Sequence, residues 1–168
     1  MLIKVFKVKI ELIYTLTGVI LMPHDELTDN IFALEKNLRH IAAIIKQKGR
    51  EILSNYTVTP PQFIALQWLD ELGDMTIGEL STKMYLAFST TTDLVDRLEQ
   101  NELVVRSRDT KDRRVVRVHL LEKGEQIITE VVEKRQRYLQ DVVKDFDASE
   151  VEVLSKLLSR MYEEMKEE

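Results

Sequence analysis

Six basic side chains, Arg106, Arg108, Lys111, Arg113, Arg114 and Arg117, stand within twelve residues beside two acids, Asp109 and Asp112, so this segment carries a net +4 (six minus two). The whole 168-residue chain carries −5. Guanidinium groups gathered in this way suit phosphate oxygens and the negative potential of a narrow minor groove. Just upstream, Ser89, Thr90 and Thr92 supply small hydroxyls that can donate to or accept from base edges and phosphates, and Asp93 and Arg97 follow them. Acid–base or metal chemistry has no comparable basis. His24, His40 and His119 lie far apart without ligand spacing, the five glycines form no phosphate-cradling loop, and no G-x-S-x-G occurs. No enzymatic activity, cofactor or metal is therefore expected.

The elements that must position these groups can be read from periodicity. Leu103 to Arg106 and Val115 to Leu120 alternate in period two, with Val116, Val118 and Leu120 on one face, so the polar segment between them is a hairpin tip. Residues 89–101 read as a short amphipathic helix. Thr91, Leu94, Val95 and Leu98 face inward, leaving Ser89, Thr90, Thr92, Asp93, Asp96 and Arg97 outward. Thr76-x-x-Glu79 is a capping box that opens a short helix to about Met84. Thr59 followed by Pro60 starts another helix, ended by Gly73, with Ala65, Leu66, Leu69 and Leu72 along one side.

The motif Leu98-Glu99, Leu103-Val104-x-Arg106, Asp109-x-x-Asp112-Arg113, Arg117-Val118-x-Leu120 and Gly124 resembles the winged-helix signature of the MarR family of bacterial transcriptional regulators. The likeness extends more loosely from about residue 25 to the C-terminus. Two positions depart from the pattern. Glu102 stands where a glycine is expected, which assigns helix termination to Asn101, and Leu121 stands where a threonine normally caps the next helix. The resemblance implies a sequence-specific DNA-binding regulator, a repressor on a pseudo-palindromic operator that acts as a homodimer and releases DNA when a small aromatic effector binds.

The implied fold is mainly α with a small β-hairpin wing, a winged helix-turn-helix domain over residues 59–123 flanked by dimerisation helices over 25–58 and 124–168. Leu27, Ile31, Leu34, Leu38, Ile41 and Ile45 are spaced 4, 3, 4, 3, 4, a coiled-coil seam that Lys48 and Gly49 interrupt and Ile52 resumes. A thirty-residue helix is about 45 Å long, more than one small domain covers. Ile128, Val131, Val132, Leu139, Val142 and Phe146 stripe a second helix running from Gly124 to Phe146. Asp147 and Glu150 mark a restart into a third, along Leu154, Leu157, Leu158 and Met161.

In the recognition helix the DNA-facing set is Ser89, Thr90, Thr92, Asp93 and Arg97. In the wing it is Arg108, Lys111, Arg113 and Arg114, with Arg113 assigned to the minor groove and Asp109 and Asp112 orienting neighbouring arginines. His40, Tyr56 and Trp68 are the candidate effector-pocket residues, although ordinary core or interfacial packing explains each of them better.

The absence of cysteine fits a reducing, cytoplasmic compartment and leaves no thiol switch. Residues 1–24 have a cationic start and then an apolar run, Leu12 to Leu21, too short to span a membrane. They read as an extension outside the functional module, or alternatively as an extra strand or partner-binding arm. The competing function is a helical dimerisation adaptor whose winged unit contacts protein, which would show little salt-dependent DNA affinity.

Overall fold

The computed structural model describes residues 26–109 and 112–166, so the N-terminal extension and Lys111 lie outside the described residues. The chain divides into two compact units, one ending at Ile45 and the other starting at Lys46. Helix α1 (Glu26–Leu53) contributes to both. Within the first unit its seam is open: Leu27, Ile31, Leu34, Ile41 and Ile45 are all exposed. In the second unit Gly49 interrupts the seam without breaking the helix, and Ile52 and Leu53 are buried.

The second unit is built around the side chains of Phe63, Leu66, Leu80, Val95, Leu98, Leu103, Val104, Val118 and Val131, all fully buried. Each such side chain contributes roughly 1.5–3 kcal/mol relative to exposure. Helix α2 (Pro60–Leu72) starts where the Gln62 side-chain oxygen accepts from the Thr59 backbone N–H at 2.8 Å, and it ends at Gly73, whose φ of 79° needs no side chain to clear. Its buried stripe uses Phe63 in place of Leu72, which is exposed in the last turn. Strand β1 (Met75–Thr76) leads straight into helix α3 (Ile77–Met84). Thr76 Oγ1 accepts the Glu79 N–H at 3.1 Å and Glu79 Oε2 accepts the Thr76 N–H at 2.7 Å, the reciprocal capping box expected from the sequence.

Helix α4 (Phe88–Gln100) buries Thr91, Leu94, Val95 and Leu98, the inward set that its periodicity predicts. Strands β2 (Val104–Arg108) and β3 (Val116–Leu120) form the expected hairpin. The sheet also has a third strand that alternation could not reveal: β1 pairs antiparallel with β3, placing Met75 opposite Val118, in the order β1-β3-β2. Two residues are too few to carry a period.

The end of α4 requires a correction. Asn101 keeps an ordinary φ of −87°, and the left-handed residue is Glu102 at φ 59°. Glu102 N–H donates to Glu99 O at 2.9 Å and Leu103 N–H to Leu98 O at 3.0 Å, the two backbone bonds of a Schellman ending. This motif puts the positive φ one residue past the cap, so that Leu103 turns fully into the core.

The next junction is tight although no side chain caps it. Helix α5 (Glu122–Val142) begins two residues before Gly124 and ends short of the expected Phe146. Leu121 N–H donates to Leu103 O at 3.0 Å, and Glu122 and Glu125 face the positive end of the helix dipole. A Cβ at Gly124 would sit 2.6 Å from Leu103 O, so glycine is required for this approach. After a short break the Asp147 carboxylate accepts the Glu150 N–H at 2.9 Å, and helix α6 (Ala148–Lys166) follows with no buried residue.

Candidate nucleic-acid interface

The basic segment resolves into two groups of arginines with different surroundings. At the root of the wing, Arg106 on β2 donates from Nη2 to Asp96 Oδ1 at 2.5 Å and from Nη1 to Glu99 Oε2 at 2.5 Å, while its backbone N–H donates to Glu99 Oε1 at 2.8 Å. One side chain thus pins β2 to the back of α4. Burial works against its charge, but the bonds from Asp96 and Glu99 outweigh it and hold the guanidinium more strongly protonated than usual. On β3, Arg117 donates from Nε to Asp109 Oδ2 at 2.6 Å and from Nη1 to Glu79 Oε2 at 3.3 Å, linking the wing to α3. The Asp109 bond is the main reason that the Arg117 pKa is raised. His119 Nδ1 lies 2.6 Å from Asp74 Oδ1 on the same side.

At the tip the arrangement is open. Arg108 and Arg113 are exposed and make no ion pair among the described residues. Arg114 is 91% exposed yet is held from Nε and Nη2 by both carboxylate oxygens of Asp112, at 3.0 and 2.9 Å, and this fork pushes the Asp112 carboxyl below its ordinary range. Asp112 N–H in turn donates to Asp109 Oδ1 at 3.2 Å. The two acids of the basic segment therefore each grip one arginine, Asp109 at the root and Asp112 at the tip.

On α4, Ser89, Thr90, Asp93 and Arg97 are exposed. Thr92 is half-buried and its hydroxyl donates back to Phe88 O at 2.9 Å, which leaves the oxygen's acceptor capacity for an outside donor. Asp96, outward by periodicity, is instead tied to Arg106. Asp93 and Arg97 form no ion pair with each other; with Thr90 and Leu94 they line an open cleft that Thr59 and Gln62 close from α2. No acid sits in the first turn of α4, so its positive dipole end is unopposed.

Asp96, Glu99, Asp74 and Glu79 also belong to the site, although neither the basic segment nor the hydroxyl-bearing helix start points to them. For the first two a signal was available: they lie three apart on one helix face, and Glu99 belongs to the motif itself. Asp74 and Glu79 meet the wing only through the pairing of β1 with β3.

Of the candidate pocket residues, His40 is exposed on α1. Tyr56 donates its hydroxyl to Glu130 at 3.0 Å beneath Lys134, and Trp68 carries Lys83 over its ring at 5.7 Å. Tyr56 and Trp68 are thus engaged by different helices. No helix among the described residues is long and apolar enough to cross a membrane.

A hairpin pinned behind a helix that opens with hydroxyls is the winged helix-turn-helix arrangement, and known proteins share it. The MarR family profile matches residues 58–116. The HTH-type transcriptional regulator YsmB of Bacillus subtilis (strain 168) is 62% identical over 138 residues, covering 82% of this chain and 94% of its own length. The chain belongs to the MarR family. A solved structure of a MarR family protein from Bacillus stearothermophilus superposes with a TM-score of 0.78 at 59% identity, covering 82% of this chain and 96% of that one. The HTH-type transcriptional repressor MdtR of Bacillus subtilis (strain 168) is 29% identical over 128 residues, covering 74% of this chain and 83% of its own. As a MarR regulator the protein binds DNA and is not an enzyme.

Proposed function

We propose that the protein is a homodimeric repressor that occupies a pseudo-palindromic operator and lets go when an effector binds. The observation that carries the dimer is the open apolar seam of α1 together with α6, where Leu154, Leu157, Leu158 and Met165 are exposed along a helix that buries nothing. Apolar faces of this length are covered by another chain when they are not part of a core. On this reading residues 25–58 and 124–168 are the dimerisation arms, and 59–123 is the DNA-reading unit. Two recognition helices related by a two-fold axis then meet half-sites about one helical turn apart.

In each half, α4 lies in the major groove with Ser89, Thr90, Thr92, Asp93 and Arg97 toward the bases. The wing follows the backbone, with Arg108, Lys111 and Arg114 on phosphates and Arg113 in the minor groove. Asp109 and Asp112 set the arginine directions. Repression by promoter occlusion is supported by likeness to MdtR, a transcriptional repressor.

The effector on this reading is a small aromatic molecule. Such a ligand acts only through its differential affinity for the two dimer geometries.

Size-exclusion with light scattering, free and on the upstream intergenic DNA, tests this reading. Two protomers in solution and two per duplex, with footprints spaced one turn apart, are expected. A monomer in both states overturns it. Thermal-shift measurements against a panel of aromatic acids test the effector, which is excluded if no member stabilises the protein.

A further inference from the structure

The turn that joins α3 to α4 is built against the chain's own interest. Tyr85 adopts φ 52° and ψ 41°, left-handed geometry that glycine takes without strain and that an aromatic residue rarely adopts. The chain uses glycine at the end of α2, Gly73, and the other left-handed non-glycine residue among those described, Glu102, turns Leu103 into the core, a task that Tyr85 does not share. Nothing in the fold uses the ring, since Tyr85 is 96% exposed. The backbone fixes where it points: Tyr85 N–H donates to Thr82 O at 3.3 Å and Leu86 N–H to Ser81 O at 3.1 Å. Phe88, at the first position of α4, is 60% exposed, and Leu86 between them is also open.

Three apolar side chains in four residues thus crown the end of α4 that carries Ser89 and Thr90. Their surroundings separate this patch from the faces of α1 and α6. From Leu80 to Thr92 the chain has one lysine and no acid, whereas the α6 stripe is interleaved with Glu150, Glu152, Glu163 and Glu164. This stretch, bounded by Glu79 and Asp93, runs directly into the DNA-reading helix, and an apolar surface without acids of its own suits a duplex. The apolar feature of the major groove is the thymine C5-methyl group, which aromatic and aliphatic side chains contact directly.

We propose that Tyr85 and Phe88 are specificity-determining residues that pack against thymine methyl groups of the operator. The inference rests on the operator-binding reading above. It assigns to the turn the task of distinguishing T from C, which the hydroxyls of α4 do only weakly, and it accounts for a strained aromatic residue where glycine would fold better.

The test uses the full-length protein, Tyr85→Gly and Phe88→Ser, with the upstream intergenic fragment made either with thymine or with uracil, which lacks only the methyl group. Tyr85→Gly should unfold at a higher temperature than the parent and yet bind the thymine fragment about ten-fold more weakly, a loss the size of one disfavoured base pair. The slope of log affinity against log salt should not change, because no phosphate contact is lost. Uracil should weaken the parent by a similar factor and the two variants by much less. A purely structural role cannot raise stability and lower affinity together. Parent-like binding of both fragments by both variants overturns the inference while leaving operator binding intact. Loss of all salt-dependent binding by the parent protein overturns both.

Discussion

Arg106 and Arg113 belong to one basic stretch, and their surroundings are opposite. Arg106, at the root of the wing, is 22% exposed in its side chain and bound to two carboxylates, while Arg113 at the tip faces solvent with no ion pair among the described residues. In exposure alone Arg117 and Arg114 repeat the contrast, at 32% and 91%, since Arg114 is also paired, with Asp112. The same residue type therefore does two jobs. The root arginines are paired with neighbouring carboxylates, fixing β2 and β3 against α4 and α3, so their charge is largely offset locally. At the tip only Arg108 and Arg113 make no ion pair among the described residues, and on the proposed reading these two keep their charge for DNA, whereas Asp112 already holds Arg114. A count of positive charge overstates the phosphate-binding capacity of such a wing, and neighbouring acids reveal which guanidinium groups are already taken.

The contrast can be broken first at the root. Arg106→Ala strands Asp96 and Glu99 and should lower unfolding stability by ~1–3 kcal/mol, the range for removing one partner of a part-buried hydrogen-bonded pair, measured by urea denaturation. DNA affinity should fall with it, because the wing loses its anchor. A loss of affinity without a loss of stability would mean that Arg106 belongs with the tip.

Glu102→Gly acts on the same root in the opposite direction. Relieving the φ of 59° should raise stability by ~0.5–1 kcal/mol, read as a higher midpoint in urea with DNA binding unchanged.

A smaller effect concerns pH. Glu79 is held below its ordinary pKa by the Thr76 backbone N–H and hydroxyl, with Arg117 adding to them. A depressed carboxylate stabilises the fold above its unfolded pKa of ~4.3, and that contribution is lost as pH falls through the folded value. Glu79→Gln keeps the capping geometry but not the charge. The difference in melting temperature between parent and variant should hold constant from pH 7 to about 5 and shrink as the pH falls toward ~3; a difference that stays constant throughout would show that the charge contributes nothing.

The smallest change in stability is expected at the tip. Arg108→Ala and Arg113→Ala should leave unfolding within ~0.5 kcal/mol of the parent, although they weaken binding. A stability loss matching that of Arg106→Ala would erase the distinction between root and tip.

The sequence made most of this visible where a residue's role is local. The inward set of α4 follows from the 3.6-residue period, and both acid-containing capping boxes, at Thr76 and Asp147, follow from their three-residue spacing. What it hid depends on pairing across the fold. The β1–β3 pairing brings Asp74 and Glu79 to the wing, and no local pattern announces a two-residue strand. Asp96 looks outward on a helical wheel because the wheel does not include the strand behind it. Glu102 was expected to leave helix termination to Asn101; the need to bury Leu103 decided otherwise. The strained, exposed Tyr85 has no signature in composition at all, since a tyrosine between two helices reads as an ordinary linker residue.

The central claim is that the tip arginines act on DNA, and fluorescence anisotropy on the upstream intergenic fragment over a salt series tests it most directly with the parent protein and Arg113→Ala. The expected result is steep salt dependence for the parent and weaker binding by the variant across sequences, with the slope of log affinity against log salt smaller by about 0.9 if one phosphate contact is lost with the guanidinium. Equal affinities and parallel slopes would contradict the account and turn attention to the adaptor function, in which the wing meets protein.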